Sequence, residues 1–151
     1  MTVETPDFAL WVHPEYGRAL RVQRPITRGS VVFPFPSDLP SLSTPTIGSL
    51  QVGVDRHIDG PPVCYLNHSC EPNVFADATA WEVVAIRDIQ PGEDLQMFYP
   101  ANEWHVAVPF ECACGTASCL GLITGAREMD QQVLDRYRVN EHITILRDRG
   151  N

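Results

Sequence analysis

Apolar and polar positions alternate through YGRALRVQRPITRGSVVFPF, residues 16–35, with one interruption at PITRG. A period of two sends successive side chains to opposite faces, so the stretch predicts two strands, over about 18–24 and 30–35, joined by a turn. PSDLPSLSTPTIGS, residues 36–49, is rich in Pro, Ser and Thr and predicts a loop. Strand character resumes in LQVGVDRHID and again in AWEVVAIRDI; QPGED reads as a turn and LQMFY as a short apolar run. Near the end, REMDQQVLDRYRVNEHITILRD carries Val133, Leu134 and Tyr137 at helical spacing and is the one good helix candidate. ITRGSVV and IQPGEDL share a pattern in which a glycine precedes a strand, where a turn calls for positive φ. There is no internal repeat and no linker, so the pattern predicts one β-rich domain with a short helical tail.

One segment does not fit a simple alternation. CYLNHSCEPNVF, residues 64–75, sets Asn67, His68, Cys70, Pro72 and Asn73 among apolar neighbours. If it is buried, each amide and ring nitrogen needs a partner.

Composition narrows the class. With 151 residues and 44% hydrophobic content the chain can bury one modest core. No apolar run is long enough for a transmembrane helix, and MTVETPDFALWV has neither the basic start nor the long apolar run of a signal peptide. The expectation is a soluble intracellular protein, cytoplasmic or nuclear, with no membrane partner. The formal net charge is -8, and lysine is absent: all eleven basic residues are arginines. That argues against direct nucleic-acid binding, which needs clustered cations. An acidic surface attracts a cationic substrate or partner, although charge alone fits a merely soluble domain equally well.

Five cysteines, Cys64, Cys70, Cys112, Cys114 and Cys119, are an odd number for a disulfide framework. Cys112, Cys114 and Cys119 stand as C-x-C-x4-C in ECACGTASCLG, where small residues and a glycine let three thiolates converge on one zinc ion. A structural zinc takes four ligands, so a fourth is needed: Cys64, Cys70 or a histidine. Spacing does not choose among them.

Four stretches carry a resemblance. YLNHSCEPNV resembles the N-H-S-C-x-P-N signature of SET-domain protein lysine methyltransferases. GEDLQMFY resembles that family's G-E-E-L-x-x-D-Y segment, CACGTASCLG its cysteine-rich post-SET segment, and YGRALRVQRPITRGSVV its opening G-x-G strand pair. They follow the family's order across residues 16–123.

The resemblance implies a mostly β SET-domain fold of small sheets with a pseudoknot, a zinc-binding post-SET segment and a C-terminal helix. It divides the chain into a SET domain over 1–100, a post-SET segment over 101–125 and a helical tail over 126–151. It selects Cys70 to complete the zinc site with Cys112, Cys114 and Cys119, leaving Cys64 out. It places S-adenosylmethionine against Gly17, Arg18, Ala19, Asn67 and His68, and makes Tyr99 catalytic. Trp104 and Phe110 fall where the family sets aromatics against adenine or the substrate channel, with plain packing an equal alternative; Tyr65 and Met97 fall at the channel. The NHSC polar groups would then be satisfied by the cofactor and by the threaded backbone.

Departures from the pattern are Ala19 for the second glycine, Phe98 for the Asp before the tyrosine, Cys64 for an arginine, and an insert confined to 36–60. Glu15 and Glu103 read as exposed acids, and His57 and His105 as surface or packed side chains.

The implied activity is S-adenosylmethionine-dependent N-methylation of lysine in a basic protein or peptide. A free amino acid or small amine is an alternative substrate, and a non-catalytic module binding a basic peptide an alternative role. Oligomeric state is not legible. The reaction is an in-line displacement that needs a neutral amine. A lysine amine has a pKa near about 10.4, which a narrow apolar channel lowers.

Overall fold

A computed structural model describes residues 4–150. Among the described residues, twelve short strands form five small sheets. β1 (Phe8–His13) and β2 (Gly17–Val22) make an antiparallel hairpin, Phe8 opposite Val22 and His13 opposite Gly17. Gly17 closes it at φ +78°, a left-handed conformation that costs a residue with Cβ. β3 (Val31–Pro34), β8 (Val74–Asp77) and β9 (Glu82–Ala85) form a sheet in the order β3-β9-β8. β4 (Ser41–Leu42), β5 (Ser49–Gly53) and β6 (Arg56–Asp59) form another in the order β4-β6-β5. β7 (Asn67–His68) pairs with β10 (Gln96–Met97), and β11 (Phe110–Glu111) with β12 (Leu122–Ile123).

The strand pair that organises the molecule is the parallel one. β10 lies beside β7, Gln96 opposite Asn67 and Met97 opposite His68. On its other side the same segment bonds to β2: Leu95 N–H donates to Leu20 O at 2.8 Å, and Val22 N–H to Glu93 O at 2.8 Å. Residues 93–97 therefore run between two distant parts of the chain, as the expected pseudoknot requires. Asn73 completes the ladder with its side chain. Its Nδ2 donates to Asp94 O and its Oδ1 accepts from Gln96 N–H, both at 2.8 Å.

Two apolar clusters hold this frame. The larger unites Phe8, Leu20, Phe33, Ile58, Val83 and Leu95. Leu20, at 0% exposure, has no room to relax, and Leu20→Ala would cost about 2–5 kcal/mol. The second joins Phe75, Phe98 and Trp104 to the C-terminal Leu134, Ile143 and Leu146.

Three sequence expectations change. β1 carried no clear signal in MTVETPDFALWV, yet it forms the N-terminal hairpin. The loop at 36–49 contains the two-residue β4. The single long helix is two: α1 (Gln131–Leu134) and α2 (Glu141–Asp148). Asn140 causes the break. Its backbone N–H donates to Ala101 O, its Nδ2 to Ala76 O and Ala101 O, and its Oδ1 accepts from Ala78 N–H. These four bonds fix Asn140 in extended geometry, φ -74° and ψ 156°, against helical propensity.

Candidate functional site

The NHSC segment is satisfied mainly by protein. Asn67 Nδ2 donates to Arg18 O at 2.8 Å, tying β7 to the hairpin turn. His68 Nδ1 accepts from Tyr99 N–H at 3.1 Å, and its Nε2 stands 3.4 Å from Cys70 Sγ. With Nδ1 accepting, the neutral ring carries its proton on Nε2 and offers it to the sulfur. Burial pushes the His68 pKa down to about 4, so the ring is neutral at physiological pH. One buried side chain thus links Cys70 to the backbone of Tyr99.

Tyr99 sits just past β10, where the chain turns into a 3-10 segment, Tyr99–Ala101. Its hydroxyl donates to Leu66 O at 2.8 Å. Burial raises its pKa, and the nearby Glu103 adds to the rise, so the phenol stays protonated. His68 and Phe110 meet the Tyr99 ring edge-on, centroids 5.3 and 5.8 Å away.

These groups border a cavity of about 440 Å³. Asn67, His68, Met97, Tyr99 and Phe110 line it, as do Glu15 and Tyr16 from the hairpin turn, Leu50 from β5, and the 106–114 segment. The remaining sequence-selected residues stand outside its wall. Ala19 is fully buried on β2 opposite Trp11, Gly17 and Arg18 flank the turn, and Trp104 is packed in the second apolar cluster. Tyr65 packs against the larger core. The hairpin turn is fixed through Asp94, whose carboxylate accepts from Trp11 Nε1 and Tyr16 Oη, each at 2.7 Å.

The zinc expectation can be tested on the thiols. Sγ atoms of Cys70, Cys112, Cys114 and Cys119 all lie within 4.8 Å of one another, and Cys70 and Cys112 are 3.9 Å apart. Thiolates on a tetrahedral zinc stand about 3.8 Å apart, from the roughly 2.3 Å Zn–S bond. Leu120 N–H and Cys114 N–H point at the sulfurs of Cys70 and Cys112, at 3.3 and 3.4 Å, as thiolates require. The four residues fit the metal. Cys64 is not in the group; it lines the cavity instead.

Sequence reasoning missed Glu103. It is buried, at 6% exposure, and lines the cavity rather than facing solvent. Its Oε1 accepts from Gln51 N–H at 2.9 Å, while Oε2 is enclosed without a hydrogen-bond partner. Burial pushes its pKa up to about 8. NEW gave no periodic signal that would have put an acid inside. His57, on β6, is likewise packed, with Nδ1 unpartnered.

Residues 17–100 match the SET domain family. The chain is 35% identical over 146 residues to the methyltransferase flvH of Aspergillus flavus, covering 89% of this chain and 82% of that protein. It is 36% identical over 75 residues to a histone-lysine N-methyltransferase, H3 lysine-36 specific, of Aspergillus oryzae. That match takes in 44% of this chain but only 8% of the larger protein. Among solved structures, the methyltransferase domain of human SETMAR superposes with a TM-score of 0.60 at 21% identity, over 78% of this chain and 58% of that one. KRYPTONITE in complex with mCHH DNA, H3(1-15) peptide and SAH gives 0.59 at 21%, over 76% and 29%. At these identities the superpositions show the fold alone.

Proposed function

The chain belongs to the SET-domain family of methyltransferases, and from that premise we propose that it transfers a methyl group from S-adenosylmethionine to a lysine amine of a basic protein or peptide. The observation that carries the proposal is the convergence of Asn67, His68, Tyr99 and Phe110 on one cavity from segments far apart in sequence.

The cofactor supplies an electrophilic methyl on a sulfonium. The chain's own residues do the rest. Asn67 and His68, with the hairpin turn held by Asp94, form the wall against which the cofactor lies; Phe110 covers it. Trp104 supports that cover from the core beneath. The Tyr99 hydroxyl has given its hydrogen to Leu66 O, so only its lone pairs face an incoming group. It therefore accepts from an amine N–H, aims the nitrogen lone pair at the methyl, and stabilises the positive charge in flight. Met97 flanks the amine's path, while Tyr65 is packed on the core outside the cavity wall.

Cys70, Cys112, Cys114 and Cys119 would hold a structural zinc, which would fix the 110–123 segment over the cavity and have no part in transfer. In this reading residues 1–100 are the transfer body, 101–125 its cover and 126–151 a brace. Among the described residues no helix is long and apolar enough to cross a membrane. We place the activity inside the cell, in the cytoplasm or the nucleus.

A small free amine is the second reading. It is favoured by the acid enclosed in the cavity wall and by the short insert, which leaves little surface for a long peptide. The test incubates the purified chain with methyl-labelled S-adenosylmethionine and, in turn, a lysine-bearing H3 peptide, free lysine and 1,5-diaminopentane. Label on the peptide supports the first reading. Label on the free amines alone supports the second, and label on none rejects both.

A further inference from the structure

Glu103 is costly where it stands. An ionised carboxylate in a dry wall must be paired, and an unpaired one shifts its pKa instead. The enclosure supplies one bond, from Gln51 N–H to Oε1, and leaves Oε2 empty. No cation among the described residues pairs with it. Tyr99 faces it from the 3-10 segment, and Glu103 N–H donates to Tyr99 O at 2.8 Å. From β5 it meets the uncharged Gln51, with His57 across the ladder from that residue. Behind it, His142 Nε2 is held by Asn102 O, and Arg147 stands over the ring of Trp104. Among the described residues no ion pair includes Glu103. Its backbone is locked as well, Ala126 N–H donating to Glu103 O at 2.8 Å, so the acid is held in place rather than tolerated at a loose end.

A structural acceptor for Gln51 N–H needs one oxygen and no charge. The second oxygen, enclosed in the wall that Glu103 and Tyr99 both line, has a use only once something enters. We propose that Glu103 is the proton acceptor for the substrate amine: an amine that arrives as an ammonium gives a proton to Oε2 and is left neutral beside Tyr99. This deepens the methyltransferase reading and rests on it. The substrate class it selects is a cationic primary or secondary amine.

The step balances. The ammonium R-NH3+ and the carboxylate become R-NH2 and the carboxylic acid. The nitrogen lone pair then forms the N–C bond as the S–C bond of the sulfonium breaks, giving the methylammonium product and a neutral thioether. The acid returns its proton to solvent when the product leaves. In a desolvated cavity the neutral pair is favoured over the ion pair, because both charges disappear together. A pKa raised toward that of the amine makes the transfer close to balanced. A small turn about the last torsion of the side chain, a soft one for a carboxylate, presents Oε2 to the amine.

The experiment measures kcat/KM against pH for wild type and Glu103→Gln, with methyl-labelled S-adenosylmethionine and whichever of the H3 peptide, free lysine or 1,5-diaminopentane accepts label. Cofactor affinity is measured in parallel by calorimetry. For wild type, kcat/KM rises with pH and levels near the Glu103 pKa, about 8. For Glu103→Gln it falls by about 100-fold or more near neutrality. The variant's rate then climbs without a break toward the substrate's own pKa, about 10.4, while cofactor affinity stays unchanged. Equal profiles for both proteins overturn the inference and leave the methyltransferase reading standing. If the variant does not fold, wild type decides: a break near pH 8 supports the assignment, and a rise continuing to the amine's own pKa overturns it. A wild type that binds the cofactor and methylates no amine overturns both.

Discussion

Tyr99 has committed its hydroxyl hydrogen to Leu66 O, so what it can offer a reacting amine, in the role proposed for it, is an acceptor in a fixed direction. Tyr99→Phe should therefore lower kcat by roughly 100-fold while leaving the dissociation constant of S-adenosylmethionine nearly unchanged, since the lost contact acts on the amine and the moving methyl. Asn67→Ala should do the reverse. It removes the bond to Arg18 O and the cofactor contact proposed for this side chain, and a weakening of about 1.5–3 kcal/mol is expected by calorimetry. Met97 is buried and also lines the cavity. Its thioether holds a water poorly and its chain yields easily to a methylated amine. Mass spectrometry of the product under excess cofactor should show di- or trimethyl amine for wild type and a shift to monomethyl in Met97→Tyr. A strictly monomethylating wild type would end that idea.

At the scale of elements, the cysteine-bearing segment between β11 and β12 has little apolar surface of its own, and Leu122 is exposed. A metal held by the four thiols would take the place of a core there. Metal analysis should give one zinc per chain in wild type and in Cys64→Ser, and a clear loss in Cys119→Ser. Chelation should raise hydrogen exchange across 110–123 while the β1–β2 hairpin stays protected. Asn140 plays the joining role for the C-terminal helices, spanning Ala76, Ala78 and Ala101 with one side chain and one amide. Asn140→Ala leaves Ala78 N–H without its side-chain acceptor and removes one of the donors to Ala76 O and to Ala101 O, and should lower stability by about 1–3 kcal/mol in urea unfolding.

For the whole molecule, two buried groups set opposing pH dependences. The folded His68 pKa, about 4, lies below the unfolded value of 6.5, so its contribution is present above 6.5 and lost as pH falls toward 4. The folded Glu103 pKa, about 8, lies above its unfolded value of 4.5, so its contribution is present below 4.5 and lost as pH rises toward 8. Between 4.5 and 6.5 the two slopes oppose each other. Above 6.5 only the Glu103 slope remains between these two groups, and stability should decline up to pH 8. Glu103→Gln should flatten that decline in thermal unfolding followed by circular dichroism; an unchanged slope would show that the acid is not buried as described.

Much of the site could be read along the chain because its chemistry is written in contiguous segments. The C-x-C-x4-C cluster stands out by residue type and spacing, NHSC and the tyrosine closing GEDLQMFY stand out through their resemblance to the SET family, and the strands around them alternate with a period of two. The four-thiol set was half local: spacing gave three cysteines, resemblance to the SET family named Cys70, and folding brings Cys70 to within 3.9 Å of Cys112. Other features depended on partners remote in sequence. Asn140 breaks a well-patterned helix because backbone groups from residues 76–101 claim it. Asp94 looks like a turn acid until Trp11 and Tyr16 arrive to bond it. Glu103, in the short NEW segment, looks like a surface residue until β5 and the 3-10 turn close around it. Local pattern determines which faces are apolar and which side chains carry chemistry, because both follow from residue type at fixed spacing. Which polar side chains end up buried, and which buried oxygen lacks a partner, is decided only when distant strands meet and water is excluded.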